Sequence, residues 1–181
     1  MVELIAYVVL YGAVMSLLAS LTFVIITSAR KVNRQAILNR GTTIMFTEIL
    51  SQTVALAPDY VSDVDTSVAD TISITFEKRH FYDDDGVRHD YAEDEIQSIK
   101  YVYNKGDDNI VVIRNNDIDN SGSINLEYGM IIQSVNSDSI DDVIEVNKQS
   151  SFNKYVTFHG NLIYDDKPLE FKFIIPVFIT D

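Results

Sequence analysis

The sequence predicts an α+β protein, a long N-terminal helix packed on an antiparallel β-sheet domain, with the helix apolar in its first half and amphipathic in its second. Three observations predict it. Leu4 to Ile26 holds 23 residues without a charge. No proline interrupts the chain before Pro58. Beyond Pro58 the apolar residues recur with a period of two instead of a helical period. The chain has 181 residues and a hydrophobic fraction of 46%, enough for a packed core and too much for a disordered chain. It has no cysteine, which excludes a disulfide scaffold, a thiolate metal site and a cysteine nucleophile.

The first element is the uncharged run. At about 1.5 Å per residue, 23 helical residues cover roughly 35 Å, enough to cross a bilayer core. Ser16, Ser20 and Thr22 are tolerable there, because a helical hydroxyl bonds back to a carbonyl one turn earlier. A secretory signal peptide fits poorly: no basic residue precedes the run, it is too long, and no small-residue cleavage site follows. The second element is the continuation of the helix. Leu38, Met45, Ile49 and Leu56 are spaced 7, 4 and 7, which groups them within about 40° on a helix of ~100° per residue. Gly41 interrupts this stripe at a cost near ~1 kcal/mol. The spacing predicts one helix from about residue 2 to 56, divided into a span over 1–28 and an amphipathic continuation over 29–57.

The third element, 58–181, is a β-rich domain. Ile72, Ile74 and Phe76 alternate with polar residues, as do Leu169, Phe171 and Phe173; Ile99, Tyr101 and Tyr103 form a third period-two run. Further runs at 110–113, 124–128, 143–146 and 155–164 bring the expectation to about seven strands. Asp165-Asp166-Lys167-Pro168 reads as a hairpin turn. Charge divides the same way as hydropathy. Residues 1–57 carry a net charge of +2 and residues 58–181 carry −15. An acidic domain without clustered Lys and Arg disfavours nucleic acid as a direct partner.

Glu3 is the one ionisable side chain in the first 29 positions apart from the tyrosines. Two readings stand. It is an interfacial acid favoured by the positive end of the helix dipole, or an acid carried into an apolar environment, where it must find a cation. Met1-Val2-Glu3-Leu4 followed by an uncharged helix resembles the N-terminus of type IV pilins and type II secretion pseudopilins. In that family a basic leader ending in glycine is removed by a prepilin peptidase. The mature chain opens Phe-Thr-Leu-Val-Glu-Leu, with its first residue N-methylated. Val2-Glu3-Leu4 match the end of that motif, so the resemblance implies that the sequence starts inside it. The resemblance covers about the first 25 residues; beyond them it is architectural, a long helix and then an acidic strand-rich domain.

The resemblance implies a membrane subunit with an extracytoplasmic C-terminal domain. It is later handed by assembly machinery to an extracellular filament, where neighbouring subunits meet through their apolar helices. Glu3 would then be the assembly residue, paired with a neighbour's terminal amine. Arg30, Lys31, Arg34 and Arg40 follow the span and, taken alone, would hold the C-terminal domain in the cytoplasm; in the family the leader supplies the counterweight. The span lacks the proline common in major pilins, which points toward a minor pilin or pseudopilin, and the order of strand motifs is similar to the J-type and competence pseudopilins. The machine it serves (adhesion, motility, secretion or competence) is not written in these residues. An alternative from another class is a single-pass anchored extracytoplasmic binding domain that does not polymerise.

One segment suggests a metal. Asp117-Ile118-Asp119-Asn120-Ser121-Gly122-Ser123-Ile124 resembles the start of an EF-hand-type calcium loop. The ligands would be Asp117, Asp119, Ser121 and Glu127, with Gly122 at the bend, though the twelfth position is Tyr128 and Glu127 falls one place early. The other reading of the segment is an acidic hairpin turn. Asp83-Asp84-Asp85-Gly86 reads as a solvated turn. No nucleophile elbow, zinc-protease, Walker or dinucleotide pattern occurs, so the sequence predicts no enzyme; a membrane-tethered hydrolase is the weakest alternative.

Overall fold

The computed structural model describes residues 2–136, 139–148 and 153–178. A single helix, α1 (Val2–Leu56), opens the chain. Eleven strands follow among the described residues: β1 (Tyr60–Val61), β2 (Thr71–Lys78), β3 (His80–Tyr82), β4 (Arg88–Asp90), β5 (Gln97–Asn104), β6 (Asn109–Arg114), β7 (Asp117–Asn125), β8 (Ile131–Gln133), β9 (Ile144–Lys148), β10 (Asn153–Tyr164) and β11 (Lys167–Phe178). The α+β arrangement is the one the sequence predicts. The chain divides into two compact units, Met1–Ile37 and Leu38–Asp181. The boundary therefore falls inside the helix, and most of the amphipathic continuation belongs to the globular unit.

In the first unit three hydroxyls bond back along the helix. Ser20 donates to the Ser16 carbonyl at 2.9 Å, Thr22 to Leu18 at 2.8 Å and Thr27 to Phe23 at 2.8 Å. Each bond runs back one turn, so these three hydroxyls are satisfied by the helix itself.

The second unit is built on the stripe. Leu38, Met45, Ile49 and Leu56 are buried as their spacing predicts, and Gly41 and Thr53 join them. Gly41 is there because of space. A Cβ at that position would lie 2.5 Å from Met130 Cε and 3.0 Å from Leu162 Cδ2, both on fully buried side chains. Thr53 is there because its hydroxyl lies 3.1 Å from the Tyr101 hydroxyl, which itself donates to the Ile49 carbonyl at 3.2 Å. The helix ends at Ala57, in the left-handed region with φ 48°, and its N–H reaches the Thr53 and Val54 carbonyls at 3.1 Å before Pro58 stops the helix.

Two main sheets receive this face. One has the order β1-β2-β5-β6-β7, all antiparallel, and contributes Ile72, Ile74, Phe76, Ile99, Tyr101, Tyr103 and Val112 to the core. The other has the order β11-β10-β8, with β9 also on β10, and contributes Val156, Phe158, Leu162, Phe171, Phe173 and Ile175. Tyr103 joins them: its hydroxyl accepts the Ile132 N–H at 2.8 Å and donates to the Ile132 carbonyl at 3.2 Å. A short ribbon, β3-β4, lies apart from both sheets in the pairing.

The strand runs at 72–76, 99–103, 110–113, 143–146, 155–164 and 169–173 all fall within or substantially overlap observed strands. The expected 124–128 strand is instead the end of β7 followed by a turn, where Glu127, Tyr128 and Gly129 all take positive φ. The hairpin turn is shorter than expected. Asp165 and Asp166 alone form it, at φ 53° and 56°, and Tyr164 pairs directly with Lys167. Pro168 and Pro176 already belong to β11, an edge strand, where a missing N–H breaks no ladder.

Candidate functional site

Three regions carry functional potential. The first is the N-terminal helix. Every residue from Ala6 to Asn33 is exposed, including Tyr7 at 74% and Phe23 at 71%. The helix is long and apolar enough to cross a membrane, with a mean hydropathy of 2.3 over its most apolar 18 residues. Its apolar surface is present on all faces. Glu3 lies in the first turn of α1, and its side chain is outside the described residues.

The second region is the acidic segment at 117–127, and here the loop expectation is corrected. Asp117–Asn125 form strand β7, and Glu127 lies in the turn that follows. The preceding turn is Asn115-Asn116, at φ 54° and 55°, where asparagine tolerates the left-handed region. Ile113 pairs with Ser121 and Arg114 with Asp117, so Ile118, Asp119 and Asn120 bulge out of the ladder. Gly122, expected at a sharp bend, sits in the paired strand opposite Val112. Ser121 is held in register beyond the bulge, and Glu127 turns to Arg40 on the helix, with Oε1 3.3 Å from Nη2. Asp117 Oδ1 accepts the Asp119 N–H at 3.0 Å. Asp117 and Asp119 thus lie at the bulge, Ser121 in the paired strand and Glu127 beside Arg40. Among the described residues no group of three or more His, Asp or Glu gathers as a metal site.

The third region was not anticipated. A groove of ≈580 Å³ opens where the end of α1 meets β3 and β11. Leu50, Val54, Phe81, Tyr82, Ile175 and Pro176 give it apolar walls, and Lys78, Asp59 and His80 supply polar groups. Asp59 fixes the wall formed by β3. Its Oδ1 accepts the Arg79 N–H at 2.9 Å, and its Oδ2 accepts the His80 N–H at 2.8 Å and meets His80 Nδ1 at 2.9 Å. His80 Nε2 lies 2.7 Å from Arg88 Nη2. The same Nε2 lies 3.3 Å from Asp90 Oδ1. The imidazole is thus held between Asp59 on one side and Arg88 and Asp90 on the other, and these contacts position the β3–β4 ribbon.

His89 and His159 also rest on carboxylates, with Nε2 2.8 Å from Asp83 and 3.1 Å from Glu170. The His89 hydrogen bond, helped by the Val87 N–H, holds the Asp83 carboxyl below its ordinary range. Asp83-Asp84-Asp85-Gly86 is the solvated turn the sequence predicts, closing β3 onto β4. The groove itself escaped the sequence because its walls come from segments about 120 residues apart that alternation alone cannot bring together.

Comparison of the chain with protein-family models, with curated proteins and with solved structures gives no match.

Proposed function

We propose that this protein is a filament subunit of the minor pilin or pseudopilin kind. The apolar half of α1 inserts in the membrane as a single pass, with the 38–181 unit extracytoplasmic. The subunit is then assembled into, or primes, a type IV pilus-like or type II secretion-like filament. One observation carries this reading: a single helix that is exposed and apolar on every face through Ile26 runs unbroken into the core stripe of an acidic β-rich unit. A hydrophobic run serving only as an anchor needs no such helical continuation. A filament subunit uses one, because the helix that packs in the filament and the helix that packs on the sheets are then one element.

Moving Leu4 to Ile26 from lipid onto neighbouring helices exchanges one apolar environment for another, and Ala6, Gly12, Ala13, Ser16, Ala19 and Ser20 let backbones approach closely. Glu3 supplies the register. Within a bundle of such helices its carboxylate needs a cation, which the terminal amine of an adjacent copy provides. Glu3→Ala is expected to leave membrane insertion unchanged and to reduce incorporation into sheared filaments at least tenfold, since an unpaired buried charge costs about 3–5 kcal/mol. Equal incorporation of the two forms would refute the assignment. The ≈580 Å³ groove favours a second reading, an anchored binding domain that never polymerises. A chain recovered only as embedded monomers from cells whose filaments are intact would select that reading.

A further inference from the structure

The groove wall at Lys78 and the β7 bulge lie toward opposite sides of one sheet. Phe76 pairs with Ile99, Ile99 with Arg114, and Arg114 with Asp117. This places Phe76 of β2 and the start of β7 in one row across the sheet, with Lys78 two residues further along β2. In the order β1-β2-β5-β6-β7 those two strands are three steps apart, about 14 Å at ~4.8 Å per strand. The two sides differ in kind. At the β7 edge Ile118 stands out of the ladder at 75% exposure, between the exposed Asp117 and Asp119. At the other side is an apolar groove with Lys78 in its wall. The Lys78 backbone belongs to the β2–β5 ladder, and among the described residues its side chain has no hydrogen-bond or ion-pair partner. One side presents an apolar knob flanked by two negative charges, and the other an apolar hollow with Lys78 in its wall, where the Asp59 carboxylate is already engaged by the Arg79 and His80 N–H groups.

We propose that Ile118 of one copy inserts into the groove of the next, with Asp117 and Asp119 facing Lys78 across the junction. The contact joins different surfaces of identical chains, so it does not close on itself in a pair, and repetition extends it into a helical array. Opposite charge at its edge selects orientation and partner more than it adds affinity. The bulge has a matching role. It removes three residues from the ladder and so prevents β7 from pairing edge to edge in an unspecific way. The proposal rests on the filament reading for its setting but is tested separately from it.

The chain has no cysteine, which makes engineered cross-linking unambiguous. Full-length chains carrying both Ile118→Cys and Val54→Cys, in membranes of the producing cell, are expected to give an oxidant-dependent ladder of dimers, trimers and higher multimers. Chains carrying one cysteine each, when mixed, are expected to give the heterodimer as the main product. Val68→Cys in place of Val54→Cys is the control, exposed at 62% and outside the groove, and is expected to give no ladder. Adding Asp117→Lys and Asp119→Lys is expected to lower the ladder yield at least fivefold, and Lys78→Glu is expected to restore it. Absence of the ladder, or an equal ladder from the Val68 control, overturns the contact whether or not filaments form. A ladder that obeys the charge swap in cells lacking filaments upholds the contact and removes the filament reading instead.

Discussion

Two stretches of the same helix, 6–26 and 38–56, differ in what surrounds them. In the first every face is apolar and exposed. In the second a single stripe of Leu38, Gly41, Met45, Ile49, Thr53 and Leu56 is buried, while Val54 on another face is 65% exposed. The backbone geometry is shared, so side-chain pattern alone separates a stretch that needs an apolar exterior from one that supplies an interior. The two glycines show the same division. A Cβ at Gly12 would meet nothing within 4 Å, whereas one at Gly41 would collide with Met130 and press on Leu162. One glycine is a smooth place on an outward surface, the other a required gap in a packed one.

The sharpest way to break this comparison is truncation on each side of it. Ile49→Ala in full-length protein in detergent is expected to destabilise the β-rich unit by about 4 kcal/mol, because Ile49 is fully buried and leaves a cavity. Val9→Ala, on a side chain 65% exposed, is expected to leave the denaturation midpoint of that unit within error. Equal losses would mean that the two stretches are not distinct.

A somewhat smaller effect comes from pH. Burial pushes the Tyr101 hydroxyl up to about 12, against the stabilising hydrogen bond from Thr53, and burial also raises Tyr103. The folded state therefore holds the Tyr101 proton more tightly than the unfolded chain does. Its contribution is complete below pH ~10 and is lost as pH rises from ~10 toward ~12, a loss of about 3 kcal/mol. Thermal midpoints across that window are expected to fall steeply for wild type and less steeply for Tyr101→Phe, with Tyr103 supplying the remaining slope. The smallest of the three effects concerns the glycines. Gly41→Val is expected to cost the β-rich unit about 2 kcal/mol through overpacking against Met130 and Leu162, while Gly12→Val leaves its denaturation midpoint unchanged. A neutral Gly41→Val would show that the helix can move away from β10.

Much of the fold was legible because it rests on periodicity. The spacing of Leu38, Met45, Ile49 and Leu56 identified the packed face of α1, and alternation located β2, β5 and β11. The two members of the stripe that the pattern missed, Gly41 and Thr53, are not hydrophobic. Gly41 is buried for lack of size and Thr53 for a hydrogen bond to Tyr101, and neither reason is visible without the partner. The ribbon β3-β4 was missed because His80-Phe81-Tyr82 and Arg88-His89-Asp90 are short and partly polar; its position depends on Asp59 accepting two backbone N–H groups. The acidic segment after Asn116 carried two readings, a calcium loop and an acidic hairpin turn, and its backbone is a strand, β7. Alternate oxygen-bearing residues before a glycine suit a calcium loop, but they equally suit an exposed edge strand, where side chains also alternate.

The sequence by itself determined the helix, its division into apolar and striped parts, the change to strands after Pro58, and the opposite charges of the two parts. All of these follow from the order of residues along the chain, because local conformation and hydropathy act over a few neighbours. Only the tertiary structure decided that Asp117 to Asn125 is a strand with a bulge, that Glu127 turns to Arg40, and that a groove opens beside Lys78. Those features depend on which distant segments share a sheet edge. That choice is made by packing the whole core at once, and no local pattern in the chain records it.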